Sequence, residues 1–179
     1  MRIREESYGY QVRFAPETLA AMRVEAVRMA EERGPVCETG GLLLGQIDHS
    51  ARVVWVTEAD SLPPESQAAA HELTMSPRSA DAYVDKRRRQ THGLVGYVGA
   101  WHTHPGVTAE ASDLDRQALK KLTSDGAPCL LVIVGGPVEV WETWLDGTGR
   151  PHVHARLAFP YEDTDADDPA REEGDRGDS

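Results

Sequence analysis

A chain of 179 residues with 40% hydrophobic content is long enough to bury the core of one ordinary domain. Its net charge of −11 argues against a nucleic-acid partner, and no uncharged apolar run approaches the roughly 18 residues needed to span a bilayer. Two cysteines, Cys37 and Cys129, are too few for a disulfide framework or a thiolate zinc site, and Met-Arg-Ile-Arg-Glu-Glu lacks the apolar stretch of a secretory signal, so a reduced, cytoplasmic protein is expected.

In chain order, a short strand is expected around Tyr8 to Phe14. Pro16 then opens a helix in which Leu19, Met22, Ala26 and Met29 recur at spacings of three to four. Gly34-Pro35 ends it. The run ETGGLLLGQI is expected to form a buried strand whose glycines mark a close backbone approach, and β-branched ARVVWVTEA its neighbour, with Asp48-His49-Ser50 as the turn. Ser61 to Ala70, with Pro63 and Pro64, is expected to be a surface loop, after which His71 to Met75 returns to the sheet. A helix follows from Ser79 to Thr91, on which Lys86-Arg87-Arg88-Arg89 forms a solvated face.

Gly93 leads into LVGYVGAWHTH, suited to a central strand that ends at Pro105, with Tyr97 and Trp101 in the core. From Ser112, Leu114, Ala118, Leu119 and Leu122 supply a helical face. Gly126 and Pro128 close that helix before the strands CLLVIVG, which buries Cys129, and VEVWETWL. A last strand spans His152 to Ala158. Strands mixed with two or three helices predict an α/β or α+β sheet flanked by helices. Residues 1–160 form one domain, and 161–179, with nine acidic side chains against Arg171 and Arg176, form an acidic tail too poor in apolar surface to fold.

Side chains alternate along a strand, so His102 and His104 project to one face and Thr103 to the other. Pro105 and Gly106 turn the chain. Eight residues beyond His104 comes Ser112, followed one helical turn later by Asp115, so that a helix start can bring a carboxylate back to the strand end. Two imidazoles and a carboxylate suit Zn²⁺, and three ligands leave a fourth tetrahedral position for water. His152 and His154 repeat the HxH spacing with no SxxD behind them and are expected on a surface strand; His49, His71 and His92 are expected in loops or at the surface. Cys37, beside Glu38, has no histidine signature around it that would make it a nucleophile.

HTHP-x6-S-x-x-D, together with the upstream ETGGLLLG, resembles the JAMM or MPN-type (JAB domain) metallopeptidase family, in its prokaryotic single-domain form, and no element of that pattern is missing between Glu38 and Val134. The resemblance implies a mixed, curved sheet flanked by helices, of the kind also found in cytidine deaminases. It implies that His102, His104 and Asp115 are the zinc ligands, one ion per chain. Glu38 corresponds to the acid-base residue and Ser112 to a donor toward the developing oxyanion. The implied activity is hydrolysis of an amide at the extended Gly-Gly tail of ubiquitin, a ubiquitin-like protein or a sulfur carrier, with no membrane or nucleic-acid partner. Release of an amino acid such as cysteine from a sulfur carrier, and a metal-free scaffold role, are the alternatives. Whether a loop such as Ser61 to Ala70 covers the site until substrate arrives is left to the tertiary structure.

Overall fold

The computed structural model describes residues 2–3, 10–68, 73–107, 109–122, 129–136 and 152–158. In chain order the elements are β1 (Arg2–Ile3), β2 (Gln11–Phe14), α1 (Pro16–Arg33), β3 (Gly40–Asp48), β4 (Val53–Ala59), β5 (Gln67–Ala68), β6 (Leu73–Thr74), α2 (Pro77–Gln90), β7 (Gly96–Pro105), α3 (Asp113–Leu122), β8 (Cys129–Gly136) and β9 (His152–Ala158). Seven strands form one sheet in the order β1-β2-β4-β3-β7-β8-β9. The β2–β4 and β7–β8 pairs are parallel and the others antiparallel. The first and last strands approach one another, so the sheet curls strongly, as expected of a mixed, curved α+β sheet.

Alternation along the strands divides the core between two faces. Leu43, Val54, Val56, Val98, Trp101, Leu130, Val132 and Val134 pack together with Met22 and Leu19 of α1. Leu42 and Leu44 turn the other way, toward Ala80, Tyr83 and Val84 of α2, while Leu131 and Ile133 meet Leu119 of α3. Each fully buried aliphatic side chain contributes about 1.5–3 kcal/mol, so Leu42, Leu43 and Leu44, within the six consecutive buried residues from Gly40 to Gly45, make β3 the keel of the fold.

The inward positions of α1 include Met22, Ala26 and Met29, as its periodicity predicts, together with Thr18, whose hydroxyl donates to the Val56 carbonyl at 3.2 Å. The close approach expected at ETGG occurs at Gly41: a Cβ there would lie 1.7 Å from the Asp60 carbonyl oxygen. That carbonyl accepts the Trp101 indole N–H at 2.9 Å, and the Asp60 amide donates to Leu42 at 3.0 Å. Only a hydrogen fits between them.

Several expectations need correction. α2 starts at Pro77 rather than Ser79, because proline at the first helical position forfeits no intrahelical bond and the Ser76 hydroxyl accepts the Ser79 N–H at 3.4 Å. The segment near Leu73 does not return to the main sheet; Leu73–Thr74 pairs with Gln67–Ala68 in a separate two-stranded sheet. In α3, Leu114 is 67% exposed and Ala118 is also exposed, whereas Leu119 is buried. The helix is rotated so that Asp115, not Leu114, shares its inner side. Of the basic cluster, Lys86, Arg88 and Arg89 are solvated, but Arg87 makes a two-pronged ion pair with Glu58 at 2.6 and 2.9 Å. The expected VEVWETWL strand and the acidic tail lie outside the described residues.

Candidate metal centre

β7 brings the two histidines to one face, and α3 brings the carboxylate to them. His102 Nε2 and His104 Nε2 are 3.0 Å apart, His102 Nε2 is 3.1 Å from Asp115 Oδ1, and His104 Nε2 is 3.4 Å from Asp115 Oδ2. Zinc bonds of about 2.0–2.2 Å at tetrahedral angles hold donor atoms roughly 3.3 Å apart, so the spacing of the three groups fits such an ion. His102, His104 and Asp115 expose only 8%, 11% and 15% of their side chains. Among the described residues they are the group of metal-binding side chains that converges in this way.

The capping of α3 fixes the carboxylate. Ser112, the residue before the first turn, accepts the Asp115 N–H on its hydroxyl oxygen at 3.2 Å, and Asp115 Oδ2 receives the Ser112 N–H at 2.7 Å and its O–H at 2.6 Å. This is a reciprocal capping box with aspartate in the place of the usual glutamate. Oδ2 is thereby occupied by Ser112, and Oδ1 is left toward His102. Burial alone would raise the Asp115 pKa, but hydrogen bonds from His102, His104 and Ser112 outweigh it and hold the group well below the ordinary carboxylate range. The carboxylate is therefore ionised at neutral pH, as a metal ligand must be.

Glu38 lies two residues before β3, the strand beside β7. Gly40 pairs with His102, and Thr39 meets Thr103 through a Thr103 N–H to Thr39 carbonyl bond of 2.8 Å. Glu38 is the residue before Thr39 and is half-buried. On the other face, Thr39 and Thr103 are both fully buried. Sequence spacing alone gave neither threonine a role.

Other singled-out residues lie elsewhere. His49 sits in the exposed β3–β4 turn, with Nδ1 2.9 Å from the Tyr10 hydroxyl, and His92 is exposed just after α2. β9 forms where expected, but the side chains of His152 and His154 are outside the described residues, as is His71. Asp113 is exposed in the first turn of α3 with Arg116 nearby at 3.5 Å. Cys37 is half-buried, and burial pushes the Cys129 thiol up to about 11, keeping it inert in the core. A cleft of about 450 Å³ between α1, β4 and α2 contains none of the expected site residues. Its Arg87–Glu58 and Tyr83–Asp60 pairs already bond to each other.

Residues 19–146 match the family described as prokaryotic homologs of the JAB domain. A CD-NTase/cGAS isopeptidase of Enterobacter hormaechei is 26% identical over 153 residues, covering 83% of this chain and 81% of the relative. A CD-NTase/cGAS isopeptidase of Pseudomonas aeruginosa is 31% identical over 103 residues, 55% of this chain and 63% of that one. A probable metalloprotease of Sinorhizobium fredii is 28% identical over 130 residues, 68% and 75% of the two chains. A protein of Desulfitobacterium hafniense solved in solution superposes with a TM-score of 0.56 over 82% of this chain and 83% of its own, at 21% identity, which supports the fold. No helix among the described residues is long and apolar enough to cross a membrane. The family match covers more than half of the chain and includes the His-His-Asp group, so the chain belongs to the prokaryotic homologs of the JAB domain and is a hydrolase of the metalloprotease and isopeptidase class.

Proposed function

We propose that this chain is a zinc-dependent isopeptidase that separates a protein from a carrier joined to it through the carrier's extended C-terminal tail. The observation that carries the reading is the convergence of two imidazole nitrogens and one ionised carboxylate, spaced 3.0, 3.1 and 3.4 Å. His102, His104 and Asp115 would hold the ion. Zinc, when bound there, supplies Lewis acidity toward the scissile carbonyl and lowers the pKa of water from about 15.7 toward about 7.

Glu38 takes the proton of the attacking water and delivers it to the leaving amine, acting as base and then as acid. Ser112 has one hydroxyl proton, which it places on Asp115. Its first duty is to orient that carboxylate, and donation to a developing oxyanion requires the bond to Asp115 to be released. An extended tail binds by adding a strand to a sheet edge, which aligns the scissile bond without reading side chains.

The carrier is a ubiquitin-like or sulfur-carrier protein ending in Gly-Gly. The names of two relatives make a carrier joined to a CD-NTase the first substrate to test. Elemental mass spectrometry of purified protein should find about one zinc per chain, lost in His104→Ala and kept in His152→Ala and Glu38→Gln. Glu38→Gln should abolish cleavage of the conjugate. A wild-type protein without zinc after supplementation, or a Glu38→Gln variant that still cleaves, refutes the reading.

A further inference from the structure

We infer that the Thr103 hydroxyl is a positioning group for Glu38, holding the acid-base carboxylate in register with the metal-binding strand. The regular β3–β7 ladder extends only to Gly40–His102. Beyond it, at the residue after Glu38, the expected ladder bond from the Thr39 amide to the Thr103 backbone carbonyl is replaced by one to a side chain. The Thr39 N–H donates to Thr103 Oγ1 at 3.0 Å, while the Thr103 N–H donates to the Thr39 carbonyl at 2.8 Å. The Thr103 hydroxyl also lies 3.4 Å from that carbonyl and can donate to it. Thr103 thus closes both backbone groups of the residue that follows Glu38, the amide through its side chain and the carbonyl through its backbone N–H with the hydroxyl as a second donor.

The two threonines are equally buried, at 0% exposure, but their hydroxyls are not equivalent. Thr39 Oγ1 has no hydrogen-bond partner, so the tie between the strands depends on Thr103 alone. Thr103 sits between the two histidines on the opposite face of β7. Its hydroxyl therefore links the backbone that carries His102 and His104 to the backbone that carries Glu38 without touching the reacting atoms. A buried amide deprived of its acceptor must find water or move, and moving it displaces Glu38 next door. The histidines would stay in place, because Gly40–His102 on one side of β7 and Ile133–His102 and Gly135–His104 on the other keep their own pairing.

This asymmetry gives a test by near-isosteric substitution. The proteins to compare are wild type, Thr103→Val, Thr103→Ser and Thr39→Val, each examined as the full chain with and without added Zn²⁺. Amide hydrogen exchange at position 39 and the carboxyl ¹³C resonance of Glu38 are read by NMR, and zinc content by elemental mass spectrometry. Thr103→Val should speed exchange at position 39 by at least about tenfold and shift or broaden the Glu38 signal, with zinc content unchanged; Thr103→Ser should restore both signals. Thr39→Val should match wild type, because the hydroxyl it removes bonds nothing. If Thr103→Val does not fold, Thr103→Ala removes the same acceptor with less steric demand. Unchanged Glu38 and position-39 signals in the Thr103 variants overturn the inference, as does an equal disturbance in Thr39→Val, which would assign the effect to packing. The inference rests on Glu38 as the acid-base residue. That reading is tested separately by Glu38→Gln turnover, so either can fail alone.

Discussion

Replacing Ser112 with alanine removes two bonds at once, and the structure sets their size. The hydroxyl oxygen that accepts the Asp115 N–H caps α3, a contact whose loss typically costs about 1 kcal/mol. The 2.6 Å donation to Asp115 Oδ2 is charge-assisted and contributes about 1.5–3 kcal/mol by itself. Ser112 is exposed and its backbone N–H still bonds the carboxylate, so the combined loss should be roughly 2 kcal/mol rather than the sum. For a chain of this size that lowers the melting temperature by about 4–8 °C. Asp115 also loses one of the groups that depress its pKa and orient it, so zinc affinity should fall about 10- to 100-fold, as for other residues that support a metal ligand. Competition with a chromophoric chelator measures the affinity, and thermal unfolding of metal-free protein measures the cap. A variant with unchanged zinc affinity and stability but a 10²- to 10³-fold slower turnover would refute this reasoning and assign the hydroxyl to the oxyanion.

Gly41→Ala should destabilise the fold by about 3 kcal/mol or prevent folding, because the new Cβ meets the Asp60 backbone oxygen at 1.7 Å; urea unfolding checks it. The pH dependence of Asp115 has a definite sign. Its native pKa is depressed, so its stabilisation is fully present above the ordinary carboxylate value of about 3.9 and is lost only as pH falls toward the depressed native value. In metal-free protein the stability gap between wild type and Asp115→Asn should therefore be retained at about pH 5 and narrow progressively as pH falls below about 3.9, measured by denaturant titration at each pH. Removing residues 161–179 should leave the melting temperature nearly unchanged, and a large drop would place the acidic segment in the fold.

Local patterns carried much of the architecture. The three-to-four spacing of Met22, Ala26 and Met29 sufficed for α1, because burial of one face decides a helix from within its own sequence. The glycines of ETGG announced a close approach, and HTH placed two imidazoles on one face by strand alternation alone. Helix and strand ends were less legible where proline and capping compete, as at Pro77, and where a short segment such as Leu73–Thr74 finds a partner other than the main sheet.

By itself, then, the sequence determined which residue types stand at the site and how far apart along the chain they lie. Tertiary structure decided their meeting. The rotation of α3 that turns Asp115 inward and Leu114 outward depends on Leu119 packing against β8 and on the Ser112 capping box, and no periodicity distinguishes those choices. Likewise the pairing of the ETGG strand start with His102 depends on the β3–β7 register, including the shift between Leu43 and Leu44, and on the Thr39–Thr103 bonds spanning 64 residues. Register between distant strands is a property of the packed sheet, since a one-residue slip would send every side chain to the opposite face.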